Sequence, residues 1–292
     1  MKIKTPATSA NLGVGFDCFG IALDLFNTFD VKLSDKDHLE NVEEQFNNPD
    51  NLFLKAYHKG CESIGVSDSV SVIFDTQIPC SRGLGSSASL ITAGLFCASA
   101  LHNNALTKDE IFQLASLMEG HPDNVAPCIF GGMTISLHQD NKFITKKIEV
   151  SPEFKYTLFI PSFEVSTEEA RRILPATYPR DIIARNVANS LYFIQGLEEG
   201  DNNLLQYGEK DEIHEPYRKK LISFFDDLRK DFKEDTDGII VISGSGSTIL
   251  GISKKEISEN LKQQINYAQI VNVDLCEKGT VVIDEKWFFD CS

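Results

Sequence analysis

Several features that mark specialised proteins are missing from this sequence. The seven cysteines contain no CxxC pair and are odd in number, so neither a disulfide framework nor a zinc site is indicated. No apolar run approaches the roughly 18–20 residues of a membrane span. Residues 1–6 also lack the apolar core of a signal peptide. We therefore expect a cytoplasmic protein that does not associate with membranes.

Positive charge is scarce as well. The 292 residues include 28 lysines and arginines against 43 aspartates and glutamates, which gives a net charge of −15. Because nucleic acids are bound through clustered basic side chains, this balance argues against a nucleic-acid partner. An anionic ligand would have to be held by local groups rather than by the field of the whole protein.

Strands and helices alternate irregularly along the chain, which favours an α+β fold over a doubly wound sheet. Strands are predicted at residues 31–33, 70–74, 133–137, 156–160, 238–243, 248–252, 268–275 and 279–285. Helices are predicted at residues 50–65, 86–101, 107–119, 167–174, 181–199, 216–233 and 253–266. The pattern restarts after Pro152, so we predict two halves, residues 1–150 and 151–292, that share a cleft.

Glycine has an ordinary frequency but is concentrated in three short segments beside predicted strands. These are residues 11–17 (NLGVGFD), 82–88 (RGLGSSA) and 243–247 (SGSGS). Glycine lets the backbone approach a ligand closely, so that successive N–H groups can converge on an anion. Taken alone, the second segment is equally consistent with an ordinary tight turn, and the third indicates a ligand site even less, because Gly/Ser turns are common.

The second segment carries the most information, because it leads into a predicted buried helix that begins with serines. A helix N-terminus is a natural phosphate site, and serine hydroxyls there can ligate Mg²⁺. The segment is not a Walker A loop, since the lysine is missing. Ala88 occupies the position of the third glycine of a dinucleotide-binding motif, so that motif is excluded too.

The three segments together resemble the GHMP small-molecule kinases, and most closely the homoserine kinase family. Residues 6–17 resemble the N-terminal signature, residues 79–89 the ATP-phosphate loop and residues 243–248 the C-terminal glycine loop. The resemblance implies an N-terminal half like ribosomal protein S5 domain 2 and a ferredoxin-like C-terminal half. It also implies ATP-dependent phosphorylation of the side-chain hydroxyl of L-homoserine, a step of threonine biosynthesis, by a protein that is commonly a homodimer.

The resemblance also assigns the nucleotide and metal contacts. The implied ATP-binding residues are Asn51, Pro79, Cys80, Ser81, Arg82, Gly83, Leu84, Gly85, Ser86, Ser87, Ala88 and Ser89. Mg²⁺ is assigned to Ser87 and Glu119, and these two residues form the implied catalytic set together with Asn124, which aims the substrate oxygen. With no lysine in the three segments, we expect catalysis by positioning rather than by a strong base. Asp123 is either a general base or a helix cap, and we favour the cap.

Homoserine is a zwitterion with one hydroxyl, so its site needs a donor pair for the carboxylate and an acceptor for the ammonium. Arginine pairs with carboxylates through two parallel hydrogen bonds. The resemblance singles out Arg171 and Arg218 for this task, although a helical arginine is usually a solvated surface charge. The remaining implied substrate contacts are Asn11, Asp17, His121 and Thr167.

Three alternative interpretations remain open at this stage. The chain could be another kinase of the same superfamily, acting on a mevalonate-like or sugar alcohol, but Arg171 and Arg218 argue for a carboxylate. It could be a non-catalytic sensor, although the phosphate loop and Glu119 are intact. It could also be a structural protein whose glycine segments are only turns.

Overall fold

Two mostly antiparallel sheets organise residues 1–283, the part of the chain that the computed structural model describes. The strands are Lys2–Ala10 (β1), Phe19–Ser34 (β2), His38–Glu40 (β3), Ser69–Thr76 (β4), Met133–Gln139 (β5), Lys142–Ile148 (β6), Lys155–Pro161 (β7), Ile239–Ile242 (β8), Ile249–Ser253 (β9), Ala268–Val273 (β10) and Val281–Ile283 (β11). The aromatic residues Trp287, Phe288 and Phe289, for which the sequence suggests either core packing or a contact surface, lie outside the described residues.

Helices cover the sheets and supply much of the site described below. They are Leu52–Ser63 (α1), Ser86–Leu101 (α2), Lys108–Glu119 (α3), Val125–Phe130 (α4), Thr167–Arg172 (α5), Arg180–Glu199 (α6), Asn202–Leu205 (α7), Glu215–Arg218 (α8), Phe225–Thr236 (α9) and Glu259–Gln264 (α10). Within residues 1–283, no helix combines the length and the apolar character needed to cross a bilayer.

The strand order shows that early and late segments of the chain share a sheet. One sheet has the order β11-β1-β2-β4-β3, with β5 beside β2 and β6 beside β5, and the other has the order β10-β7-β9-β8. Strand β11 pairs antiparallel with β1, so a late segment of the chain completes the first sheet. One apolar core also joins Ala7 and Leu23 of the first sheet to Leu158 of the second sheet and Phe193 of α6. The division near residue 150 stays a prediction.

Helix α2 is buried on nearly every side, as its small apolar residues predict. Its Ser89 hydroxyl lies 2.7 Å from Thr5 Oγ1 and accepts a hydrogen bond from Asn27 Nδ2 at 3.0 Å. These contacts fasten the first turns of the helix to β1 and β2. The helix N-terminus is thereby held at one end of the first sheet.

Local signals predicted some helix boundaries and missed others. The predicted capping box of α3 is confirmed, since Thr107 and Glu110 exchange both hydrogen bonds. The predicted helix 216–233 is wrong, because the chain turns extended at Ile222 and divides into α8, a short 3₁₀ turn and α9. Burial of Ile222 and Phe225 against the second sheet explains the break.

Two further predictions need correction. The predicted helix 253–266 contracts to α10, because β9 continues through Ser253 and the helix begins only after its cap at Ser258. Strand β1 and most of β2 were not predicted, since residues 2–10 are largely small or polar and include a proline. Tertiary pairing overrides such weak local preference.

Candidate active site

The three glycine segments meet in space, although more than 150 residues separate the second from the third. The Ser243 hydroxyl donates to the Gly83 carbonyl at 2.7 Å, which joins the second segment to the third. Gly244 donates from its amide to Ala10 and accepts from Asn11 Nδ2 at 2.8 Å, which joins the third segment to the first. A cavity of about 380 Å³ lies at this junction.

The second segment has the backbone geometry of an anion site. Gly83 and Gly85 both have positive φ, of 72° and 67°, and a Cβ at Gly85 would lie 2.0 Å from Thr8 Oγ1. The first hydrogen bond within α2 runs from the Ser89 amide to the Gly85 carbonyl. The amides of residues 86–88 therefore have no acceptor inside the helix, and the positive end of its dipole faces the cavity.

The predicted ATP-binding residues other than Ser89 divide into three groups. The residues that line the cavity beside the helix N-terminus are Ser81, Arg82, Gly83, Leu84, Gly85, Ser86 and Ser87. A neighbouring cavity of about 400 Å³ is lined by Cys80 and Asn51 together with Ser81, Ser86 and Ser87. Asn51 also caps α1 by accepting from the Phe53 amide and donates to Phe46 O, so these backbone groups already hold its side chain. Pro79, half-buried at the start of the loop, and Ala88, fully buried, lack polar side-chain atoms and line neither cavity.

Two of the predicted ATP contacts need revision. Ser89 is fully buried, its hydroxyl is bonded to Thr5 and Asn27, and its amide is used within the helix, so it is not placed to contact a phosphate. The Arg82 guanidinium donates to the carbonyls of Pro161 and Ser162 and pairs with Glu164 at 2.9 Å. The Arg82 side chain therefore fastens the loop to the end of β7. Only the backbone amide of Arg82 remains to bind an anion.

Ser87 and Glu119 are brought together across the cavity wall. The Ser87 hydroxyl donates to Glu119 Oε2 at 2.6 Å. Burial raises the pKa of the Glu119 carboxyl, while the hydrogen bond from Ser87 acts in the opposite direction. Among the described residues, no group of three or more His, Cys, Asp or Glu side chains gathers closely enough to form a metal cluster.

His121, Asp123 and Asn124 form a connected polar group after the end of α3. Asp123 is almost fully buried, and its Oδ1 lies 2.6 Å from His121 Nδ1 and accepts from the Asn124 amide. Asn124, not Asp123, occupies the cap position of α4, so the predicted capping role of Asp123 is wrong. Burial opposes protonation of His121, but the hydrogen bond to Asp123 and its negative charge prevail and raise the pKa of the imidazole.

The amide of Asn124 is oriented by a residue that the sequence did not single out. Thr8 Oγ1 donates to Asn124 Oδ1 at 2.8 Å. Within residues 1–283, Asn124 Nδ2 makes no hydrogen bond, and the side chain lines the cavity. Thr8 lies in the N-terminal motif, but nothing in its local sequence indicates a partner 116 residues away.

Arg171 and Asp17 form an ion pair between segments that are 154 residues apart. The guanidinium donates from Nη1 to Asp17 Oδ2 at 3.0 Å and from Nη2 to Asp17 Oδ1 at 2.8 Å. The hydrogen bond to Asp17 raises the pKa of Arg171 in spite of partial burial. Thr167, at the start of the same helix, places its hydroxyl 3.4 Å from Ser245 Oγ and also lines the cavity.

Arg218 is almost fully buried, at 2% exposure. Its Nε donates to Ala170 O at 3.1 Å and its Nη1 donates to Gly244 O at 2.9 Å. Burial and the neighbouring charge of Arg171 lower the pKa of Arg218 to about 10. No carboxylate lies within ion-pair distance of this guanidinium among residues 1–283, although its side chain lines the cavity. A buried cation of this kind calls for an anionic partner.

Asn11 combines a structural contact with a place in the cavity wall. Its Oδ1 accepts from the Asp17 amide at 3.0 Å, which closes the first glycine segment, while its Nδ2 holds the third. Asn11 therefore both closes a turn and lines the cavity. Its φ of 69° is one that asparagine tolerates better than most side chains.

Comparison with known proteins gives the class first. Residues 51–132 match the sequence model of the GHMP kinases N terminal domain. That segment contains the phosphate loop and helices α1–α3, and so the fold and the site define a kinase of the GHMP class.

Similarity over nearly the whole chain then gives the family. The chain is 36% identical to a homoserine kinase of Clostridium botulinum (strain Okra / Type B1), across 98% of this chain and 99% of that protein. It is 37% identical to the homoserine kinase of Aquifex aeolicus (strain VF5), across 91% and 92% of the two chains. A crystal structure of homoserine kinase from Cytophaga hutchinsonii superposes with a TM-score of 0.84 at 26% identity, covering 97% of each chain. The chain belongs to the homoserine kinase family.

Proposed function

We propose that this kinase transfers the γ-phosphoryl group of ATP to the side-chain hydroxyl of L-homoserine and produces O-phospho-L-homoserine. One observation carries the proposal. A single cavity has unpaired amides of a helix N-terminus on one side and the guanidinium groups of Arg171 and Arg218 on the other. The first surface suits a polyphosphate, and the second suits a small carboxylate.

The charges of the second surface match a zwitterion. Arg171 and Asp17 pair with each other at the cavity wall, where both are about 40% exposed. A ligand with an ammonium and a carboxylate could approach both partners at once, with its ammonium on Asp17 and its carboxylate between Arg171 and Arg218. Mevalonate or a sugar alcohol has no ammonium for Asp17, and a sugar also lacks the anion that Arg218 requires.

Ser87 and Glu119 fit a magnesium ion. Both offer oxygen atoms 2.6 Å apart at the edge of the phosphate site, and Mg²⁺ is commonly held by one or two carboxylates together with substrate phosphates. Bound there, the ion would neutralise the charge of the β- and γ-phosphates. Ser87 and Glu119 would then be ligands of Mg²⁺, and the backbone amides of the second glycine segment would orient the phosphate chain.

Positioning accounts for the remaining chemistry. Phosphoryl transfer through a loose transition state depends on alignment and charge stabilisation more than on proton abstraction. In this mechanism Asn124, whose side-chain oxygen accepts from Thr8, orients the acceptor oxygen of the substrate. The Asp123 carboxylate already bonds His121 and the Asn124 backbone amide, so it is given no role as a base. A kcat–pH profile whose acidic limb disappears in Asp123→Asn, with unchanged substrate affinity, would assign a base and contradict this mechanism.

The substrate is tested by measuring Mg²⁺-dependent ADP release with homoserine, serine, threonine, mevalonate and galactose offered separately. Turnover confined to homoserine supports the proposal, and ³¹P NMR of the product identifies the phosphate monoester. Turnover with mevalonate or galactose alone would instead assign another member of the GHMP class.

We further propose a cytoplasmic homodimer. Exposed apolar side chains at four-residue spacing on α6, namely Ile183, Val187 and Leu191, offer a surface that a second copy could cover. Light scattering on the eluting protein should give twice the chain mass of 32.5 kDa. Val187→Asp should reduce that mass to one chain, and a monomeric wild type would refute the dimer.

A further inference from the structure

The phenyl ring of Phe16 lies among Arg171, Arg218 and His214, which come from two distant segments of the chain. The Cζ atoms of Arg171 and Arg218 are 5.9 Å and 5.1 Å from its centroid. The ring of His214 is stacked on the same phenyl ring, with the two centroids 5.4 Å apart and an interplanar angle of 28°. Cations within about 6 Å of an aromatic face are attracted to it. Phe16 therefore contacts both guanidinium groups of the proposed carboxylate site without lining the cavity.

His214 connects this ring to the first glycine segment. It is fully buried, and its Nε2 lies 2.8 Å from the Gly13 carbonyl oxygen. A carbonyl can only accept, so Nε2 carries the proton. Burial lowers the pKa of His214, and the neutral form avoids a third positive charge beside Arg171 and Arg218.

The segment that carries His214 also carries Arg218. The Asp211 carboxylate accepts the amides of Ile213, His214 and Glu215, which begins the short helix α8 that ends at Arg218. One local structure thus fixes the spacing between the imidazole that holds the glycine segment and the guanidinium that faces the cavity. Asn11 and Asp17 lie at the two ends of that same glycine segment.

We propose that Phe16 and His214 act as a stacked pair of positioning residues that sets the two arginines and Asp17 at the separation a short amino-acid substrate requires. The inference rests on the proposed function, because it concerns how that substrate is held. Neither residue reaches the reacting atoms. Their loss should affect the acceptor amino acid and leave the ATP side of the cavity unchanged.

The test compares Phe16→Leu with Phe16→Tyr in the full-length protein. Leucine keeps the apolar volume but removes the aromatic face from both guanidinium groups, and we expect the KM for homoserine to rise about tenfold or more. The KM for ATP should change less than about twofold. Tyrosine restores the aromatic face and should return the KM for homoserine to within about threefold of the wild type.

A second pair of variants separates positioning from folding. His214→Phe keeps the ring stack and removes the donor to Gly13, and we expect it also to raise the KM for homoserine selectively. Tyr178→Phe removes a hydrogen bond to the Ile213 carbonyl in the same segment, and among residues 1–283 the Tyr178 hydroxyl makes no hydrogen bond to the glycine segment. This control should leave both KM values unchanged even if it lowers the unfolding midpoint.

The outcomes distinguish the inference from the function on which it rests. A wild-type protein that does not phosphorylate homoserine overturns the proposed function. An active wild type in which Phe16→Leu keeps its KM for homoserine, or raises both KM values equally, overturns the positioning pair alone. The same holds if Phe16→Tyr is no better than Phe16→Leu.

Discussion

Ser87 and Glu119 are separated by 32 residues, yet a 2.6 Å hydrogen bond joins the first turn of α2 to the last residue of α3. The contact brings a hydroxyl and a partly buried carboxylate to the edge of the phosphate site. Burial of α2 fixes the position of Ser87, and the capping box fixes where α3, which ends at Glu119, begins. The metal site that we propose therefore depends on two helix ends rather than on a loop.

The first prediction concerns these two residues. Glu119→Gln removes the negative charge but keeps the shape, and kcat should fall about 10²–10³-fold, the range seen when one electrostatic stabiliser is lost. Ser87→Ala should lower kcat less, and both variants should need more Mg²⁺ for half-maximal rate. Titrations of rate against Mg²⁺ measure this, with unfolding midpoints recorded for each variant. An unchanged Mg²⁺ midpoint in both variants would remove these residues from the metal site.

The second prediction concerns the carboxylate clamp. Arg171→Lys keeps the charge but loses the paired donors, and a charge-assisted hydrogen bond contributes about 1.5–3 kcal/mol. The KM for homoserine should rise roughly 10- to 100-fold with little change for ATP. Arg172→Lys, at the adjacent exposed position of the same helix, is the matched control and should behave as the wild type. Equal effects of the two substitutions would show that Arg171 is only a surface charge.

The third prediction concerns the junction of the glycine segments. Gly83 has a φ of 72°, and a Cβ there would lie 2.1 Å from the Ser243 carbonyl oxygen. Gly65 has a similar φ of 74° with no atom within 4 Å. Gly65→Ala should cost about 1–2 kcal/mol of unfolding free energy from backbone strain alone, and Gly83→Ala should cost more and weaken ATP binding. Urea unfolding and ATP titration measure both, and equal losses would show that the junction tolerates a side chain.

The fourth prediction concerns the pH dependence of stability. Burial raises the pKa of Glu215 to about 7, despite the opposing charge of Arg229 at 2.7 Å. The folded state therefore binds a proton that the unfolded state releases near pH 4.5, and this contribution to stability is lost as the pH rises towards and past 7. Because Glu215→Gln cannot titrate at this position, it does not lose this contribution. The free energy of unfolding of the variant, relative to that of the wild type, should therefore increase from pH 5 to pH 8. Urea unfolding at both pH values measures this, and the opposite slope would mean that the Arg229 pair outweighs burial.

Short-range signals in the sequence predicted the parts of the fold and the site that depend on neighbouring residues. The capping box at Thr107, the buried helix α2 and the glycine turn at residues 83–85 can each be recognised within a few residues. The resemblance to a kinase family added Arg171 and Arg218, which no local pattern separates from Arg172 or Lys219.

Long-range contacts could not be predicted in this way. Asp17 and Arg171 are 154 residues apart, and the orientation of Asn124 depends on Thr8 from a strand that the sequence pattern missed. Ser89 has the same residue type and nearly the same sequence position as Ser87. It points into the sheet because successive residues of a helix face different directions.

The most direct test of the account is a crystal structure of the protein with a non-hydrolysable ATP analogue, Mg²⁺ and homoserine. We predict that the phosphate chain lies against the amides of residues 83–88, with the amino-acid carboxylate at Arg171 and Arg218 and its hydroxyl directed at the γ-phosphate. A phosphate chain bound elsewhere, or a homoserine that contacts neither arginine, would contradict it.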